Sequence, residues 1–393
     1  MKLFFILFTT SSSLIGQSWL QLMDYPDLGR DDGVAITVNN IGFFGTGLKT
    51  GYSLGNDFYA FDPSSNTWSI VTYLPSSAAR QYACAFAGPN SFFVFSGSST
   101  NGTLPDLYKY DLATNTWSTM ASKPGNGVEG ASCFEFGDKI IIAGGKNQGV
   151  VTDEVWEYTI SSNTWLQKNN CPVGGRFRAG ATVYNNTGYQ IFGNDNNASF
   201  RHDLCSYNPT TDSWTTLANP PQTRARAYAT LKAINAQLIL FGGVDSLNTY
   251  YKDVWYFDPA TAGWLQSTDF ISFARKGGMS TVITNRFYYS CGIDVTNTRE
   301  KETWVLDLPL GTEEYQYAPS FSIYPNPSNG NFVLKAGAGA DIRIIDETGQ
   351  TVRQFSLPES NSQLSVSGLA NGIYILVAEK NGSVVTKKLI ANR

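Results

Sequence analysis

Histidine is all but missing from this 393-residue chain: His202 is its one copy. A Ser-His-Asp triad would have to use it, and a site needing two imidazole ligands cannot be assembled. His202 lies beside Asp203 at a position where comparable segments hold ordinary polar residues, so it reads as structural or surface. Charge is sparse too, at 15% of residues against about 25% in an ordinary globular protein. A net charge of −4 offers no footprint for nucleic acid. After the N-terminus, no stretch approaches the roughly 20 apolar residues of a membrane span. The five cysteines (Cys84, Cys133, Cys171, Cys205 and Cys291) contain no short-spaced pair. They suggest neither a disulfide framework nor a zinc knuckle, and read as small buried hydrophobes. HExxH, phosphate-loop and EF-hand spacings are missing as well, so neither a metal nor a cofactor is expected.

What is present is an internal repeat. Tryptophans fall at Trp19, Trp68, Trp117, Trp165, Trp214 and Trp264, in steps of 48 to 50 residues. Three more columns keep this register. Arginine recurs at Arg30, Arg80, Arg178, Arg226 and Arg275, each followed three residues later by Gly or Ala, with Val128 in the third copy. An acid recurs as Asp57, Asp106, Glu154, Asp203, Asp253 and Glu302. A small-residue turn follows each second strand, as in Gly144-Gly145 and Gly242-Gly243. A period near fifty with several short strands per unit predicts small sheets repeated radially, since one unit cannot bury both faces of its sheet alone.

The last copy ends at Glu302 to Pro309 without a Trp-bearing strand, while Ser18 to Leu22 is such a strand with nothing before it. The two fragments make one unit, which predicts six closed units and a ring shut by the N-terminal strand. The pattern resembles the kelch repeat over roughly Trp19 to Pro309. That resemblance implies an all-β, six-bladed β-propeller with one four-stranded blade per repeat.

The ends carry different information. Met1-Lys2 followed by Leu3 to Phe8 and small polar residues up to Gly16 reads as a secretory signal peptide, 1–16. The propeller is assigned 17–309, a linker 310–322, and a small β-sandwich 323–393, with short alternating strands at Phe332 to Lys335, Asp341 to Asp346, Gln363 to Val366, Ile373 to Ala378 and Val384 to Ile390. Tyr324-Pro325-Asn326-Pro327, Asp346-Glu347-Thr348-Gly349, Leu369 to Tyr374 and Lys387-Lys388-Leu389-Ile390 closely resemble the C-terminal sorting domain of the type IX secretion system of Bacteroidetes. The resemblance implies handling by that machinery and a product released or attached at the outer-membrane surface.

For chemistry, the arginine column is the candidate ligand-binding set, because a planar guanidinium takes carboxylates in bidentate fashion. The competing role is a bond to backbone carbonyls of an adjacent blade. Glu129, beside the missing arginine, is the candidate base if the propeller is an enzyme. The acid column reads as carboxylates that accept backbone N–H groups in the loops, and Tyr250 and Tyr251 as loop aromatics for glycan stacking. Copper oxidases on such propellers need two histidines, and the boxes of sialidase propellers are absent. The reading is therefore a monomeric, exported binding protein for a protein or glycan, with no catalytic residue. The alternative is a mutarotase acting on an acidic sugar, resting on the arginines and Glu129.

Overall fold

Strand formation follows the alternation of side chains. In Val34–Val38 the residues Val34, Ile36 and Val38 are buried, and Ala35 and Thr37 face the other way. The second strands, such as Ser91–Phe95, are buried along their whole length because sheets pack on both of their faces. A computed structural model describes residues 18–220, 225–307, 322–324, 326–335, 341–356, 363–380 and 383–392. The expected signal peptide and linker residues 310–321 lie outside these; Ser322 already belongs to the strand Ser322–Tyr324.

The chain divides into two compact units, Met1–Asp307 and Leu308–Arg393. The first holds six four-stranded antiparallel sheets, beside small two-stranded ribbons. Its first sheet runs in the order Val34–Val38, Ile41–Gly45, Asp57–Asp62, Thr67–Tyr73. The innermost strands of the six sheets are Val34–Val38, Cys84–Gly88, Ser132–Phe136, Gly180–Tyr184, Thr230–Ile234 and Met279–Ile283. Each neighbours the next, and the last neighbours the first, so the sheets surround an axis. The sixth sheet takes its outer strand from the N-terminus: Ser18–Gln21 pairs antiparallel with Thr303–Asp307, Trp19 opposite Leu306 and Gln21 opposite Trp304.

Aromatic layers hold adjacent sheets together. Phe92 of the second sheet is fully buried, its ring 5.0 Å from Phe43 and 5.1 Å from Phe58 of the first. Truncating such a ring costs about 3–5 kcal/mol. Trp19 packs at 5.3 Å on Phe241 of the fifth sheet and at 4.6 Å on Phe270, so the closing strand is fastened by packing as well as pairing. Four outer-strand tryptophans also donate their indole N–H backwards along the chain: Trp68 to the Met23 carbonyl, Trp117 to Thr72 Oγ1, Trp165 to the Ala121 carbonyl and Trp264 to the Ala218 carbonyl.

The second unit has a three-stranded and a four-stranded antiparallel sheet. Phe332, Leu334 and Val366 from the first and Ile342, Ile344, Tyr374, Leu376 and Leu389 from the second share one core. The strand Thr351–Ser356 was not expected from sequence; only Val352 and Phe355 of it pack against that core, which leaves a weak apolar pattern.

Candidate functional site

Each approach to the axis begins with a buried cation. Arg30, fully buried, gives both guanidinium nitrogens to Asp57 at 3.1 and 2.7 Å, and donates to the Thr46 carbonyl at 2.9 Å. Arg80 repeats this with Asp106 at 2.6 and 3.0 Å and the Ser96 carbonyl at 2.8 Å. Arg226 does so with Asp253 at 2.6 and 2.8 Å and the Gly242 carbonyl at 2.9 Å, and Arg275 with Glu302 at 2.5 Å. The acids Glu154, Asp253 and Glu302 also accept the indole N–H of Trp156, Trp255 and Trp304. Burial pushes the Asp57 carboxyl up, but bonds and charge from Arg30 and Lys49 outweigh it and hold the group at about 2. The two columns found in the sequence are thus one interaction, and the acid's partner is the arginine rather than loop N–H groups. With no exposed surface, Arg30, Arg80, Arg226 and Arg275 have no face to offer a ligand. The acidic-sugar reading loses the clamp on which it rested.

In the fourth repeat the column residue is Arg176, not Arg178. Arg176 is buried, bonds Asp203 and the Phe192 carbonyl, and its own carbonyl accepts the Gly145 N–H of the preceding sheet at 2.8 Å. The same bond reaches Arg80 from Gly47, Val128 from Gly97, Arg226 from Gly193 and Arg30 from Gly292. In the third repeat, where Val128 holds the place, Lys123 supplies the cation from a loop, 3.6 Å from Glu154 and 4.6 Å above the Trp156 ring.

Two residues beyond the column, the backbone turns left-handed in every repeat. Asp32, Tyr82, Gly130, Arg178, Tyr228 and Gly277 have φ between +58° and +67°. The N–H of Tyr82 donates to the Asp32 carbonyl, Gly130 to Tyr82, Arg178 to Gly130, Tyr228 to Arg178, and Asp32 to Gly277, at 2.6–3.0 Å. This necklace encircles the axis. A Cβ at Gly277 would lie 2.7 Å from Asp32 Oδ1, so the glycine leaves room for that carboxylate. Non-glycine residues in this region cost free energy and persist where surroundings impose them, often at functional places.

Three of the necklace's side chains meet on a fourth. Arg178 bonds Asp32 from three sheets away, and its guanidinium carbon lies 4.9 Å from the Tyr82 ring centre and 4.6 Å from that of Tyr228. Around them Arg299 bonds Asp31 at 2.6 Å, and Lys276 sits 4.9 Å over Tyr228. Burial raises the Asp32 carboxyl to about 7; Arg178 opposes that shift and Asp31 adds to it.

At this same end of the sheets, hairpin loops project between second and third strands. Several of their tips are apolar and exposed: Tyr52 at 74%, Val150 at 59%, Leu247 at 71% and Val295 at 66%. Arg299 stacks on Tyr52 at 4.9 Å. Tyr250 is half-buried beside Lys276, whereas Tyr251 covers Arg226 at 3.9 Å and gives its hydroxyl to Asp245, so it belongs to the framework. Glu129 pairs through its main chain with Lys146, beside the necklace's Gly130. His202 is half-buried, its ring 6.1 Å from that of Phe192. Among the described residues no group of three or more His, Cys, Asp or Glu is placed to hold a metal ion.

Sheets arranged around an axis, shut by the N-terminal strand and followed by a separate sandwich unit, define a β-propeller with a C-terminal appendage. The family model described as the KLHDC2/KLHL20/DRC7 Kelch-repeats domain matches residues 33–222, and the one described as a secretion system C-terminal sorting domain matches residues 322–392. The chain thus carries a kelch-repeat domain and a C-terminal sorting domain of the type IX secretion system, which indicates export to the cell surface or the extracellular space. A solved structure titled "Structure of YjhT" is similar in fold, with a TM-score of 0.63 at 17% identity, covering 72% of this chain and 96% of that one. No curated protein is similar enough to match. No helix among the described residues is long and apolar enough to cross a membrane.

Proposed function

We propose that this exported propeller is a monomeric binding protein, and that its partner docks on the crown of hairpin tips around the Arg178–Asp32 mouth. The observation that carries the reading is the placing of Tyr52, Val150, Leu247 and Val295, all exposed, on loops at one end of the sheets. Exposed apolar residues rimmed by charge favour a protein partner. Lys146 and Lys276 beside them favour one with acidic groups. The framework below is rigid and its arginines are used up internally, which supports binding over turnover.

A second reading, glycan binding, rests on Tyr52 and Tyr250, whose rings lie beside Arg299 and Lys276. The deciding experiment exposes the purified protein to a glycan array and to surface proteins of cells sharing its habitat. Tyr52→Ser with Leu247→Ser should abolish capture without changing the melting temperature. Capture unchanged in that double variant sinks the crown as the binding face.

A further inference from the structure

Beneath the necklace, the inner strands enclose an axial cavity of about 470 Å³. The volume falls in the range of small-molecule sites. Its lining is largely small or hydroxylic: Ala35, Ala85, Ala131, Ala181, Ser280 and Thr182 among others. Two charged residues interrupt that lining, Glu135 and Lys232, on the third and fifth sheets. Glu135 is exposed to the channel and Lys232 is half-buried there; the surrounding protein pushes the Glu135 carboxyl up and the Lys232 ammonium down, and the attraction between the two opposes both shifts.

The two differ in how they are satisfied. Glu135 accepts the Ala87 N–H at 3.1 Å. Among the described residues, no carboxylate lies within 4.0 Å of the Lys232 ammonium and no hydrogen bond to it forms. Lys232 is half-buried, and the charge of Glu135 favours its ionised form without a direct bond between the two, whereas structural lysines are normally paired directly or carried to the surface. Neither charge is spent on a direct salt bridge, so both are open to a ligand in the chamber. Gly33, Ala83 and Ala179, which follow Asp32, Tyr82 and Arg178 in the chain, line this chamber at its necklace end.

We propose that the axial chamber binds a small carboxylate that also carries hydrogen-bond donors, with its carboxylate on Lys232 and a donor on Glu135. The neighbouring hydroxyls are engaged with each other (Ser280 with Thr230, Thr37 with Thr281), so they shape the chamber and the two charges select the ligand. Nothing in this site depends on the crown or on its partner.

The test uses gluconate, a polyhydroxy carboxylate, against sorbitol, its neutral counterpart of similar size, by saturation-transfer NMR and calorimetry on the full chain. Gluconate should bind at least tenfold more tightly than sorbitol. Lys232→Met should erase that preference, Lys232→Arg should keep it within a few-fold, and Glu135→Gln should weaken gluconate while leaving it ahead of sorbitol. Equal binding of the two probes by the wild type, or an unchanged preference in a folded Lys232→Met protein, overturns the proposal and leaves a water-filled channel. Should Lys232→Met fail to fold, the wild-type preference and the Lys232→Arg result still decide.

Discussion

Arg178 and Asp32, three sheets apart in a ring of six, join their side chains across the axis of the propeller. Two tyrosine rings flank the guanidinium, and Asp31 with Arg299 forms a second pair alongside. Removing Arg178 leaves the Asp32 carboxyl enclosed without its counter-charge. Arg178→Met should therefore cost about 3 kcal/mol at pH 8, in line with losing one partner of a buried pair. At pH 5 the carboxyl takes up a proton instead, and the loss should fall below half of that. Urea melts at the two pH values check this; an equal loss at both would mean that the pair is not what closes the mouth.

The Arg30–Asp57 pair should show the opposite dependence on acid. Its carboxyl sits at about 2, below the unfolded value near 4, so the stabilisation is fully present above pH 4 and disappears as the pH falls towards 2. The linkage amounts to about 2 kcal/mol. Asp32 has its carboxyl raised to about 7, so its ionisation subtracts stability as the pH climbs from about 4 to 7. Carboxyl-carbon NMR titration should place the midpoint of Asp32 well above that of Asp57.

Arg176 and Arg178 separate the two roles that the sequence ran together. Arg176→Met should lower stability by about 3–5 kcal/mol at all pH values near neutrality, because Asp203 loses its buried partner. Arg176→Lys should not rescue it, because one ammonium cannot replace a guanidinium that bonds both Asp203 and the Phe192 carbonyl, whereas Arg178→Lys should keep most of the pairing with Asp32. Thermal melts of the three variants give the comparison.

The register error has a local cause. Arg176-Phe177-Arg178 offers two arginines, and alanine follows three residues after each, at Ala179 and Ala181. The spacing from arginine to acid would have chosen: it is 27 residues for Arg30–Asp57, Arg226–Asp253 and Arg275–Glu302, and for Arg176–Asp203 as well. The sheets and the ring closure were legible because burial repeats with each unit and leaves one unit split between the chain ends. The necklace was not, since Tyr82, Arg178 and Tyr228 are not the glycine or asparagine that usually marks left-handed backbone. Glu135 and Lys232 escaped for a related reason: each occurs once, and a repeat comparison attends to what recurs.

Removing Ser18–Gln21 should do more harm than the loss of four residues suggests. The strand Thr303–Asp307 would be left as a bare sheet edge, and Phe241 and Phe270 would lose the Trp19 ring. Trp19→Ala alone should cost about 3–5 kcal/mol, and the deletion should bring concentration-dependent association, visible by light scattering. Truncation after Asp307, by contrast, should leave the first unit folded, since the second unit has its own core. That shortened chain should stay behind in the periplasm, as cell fractionation would reveal.

During vectorial synthesis, the first strand made by the propeller waits for nearly the last. Until Thr303–Asp307 leaves the ribosome, Ser18–Gln21 has no partner, so the molecule cannot latch in halves. The ring can close only once both of these strands are on the same side of a membrane.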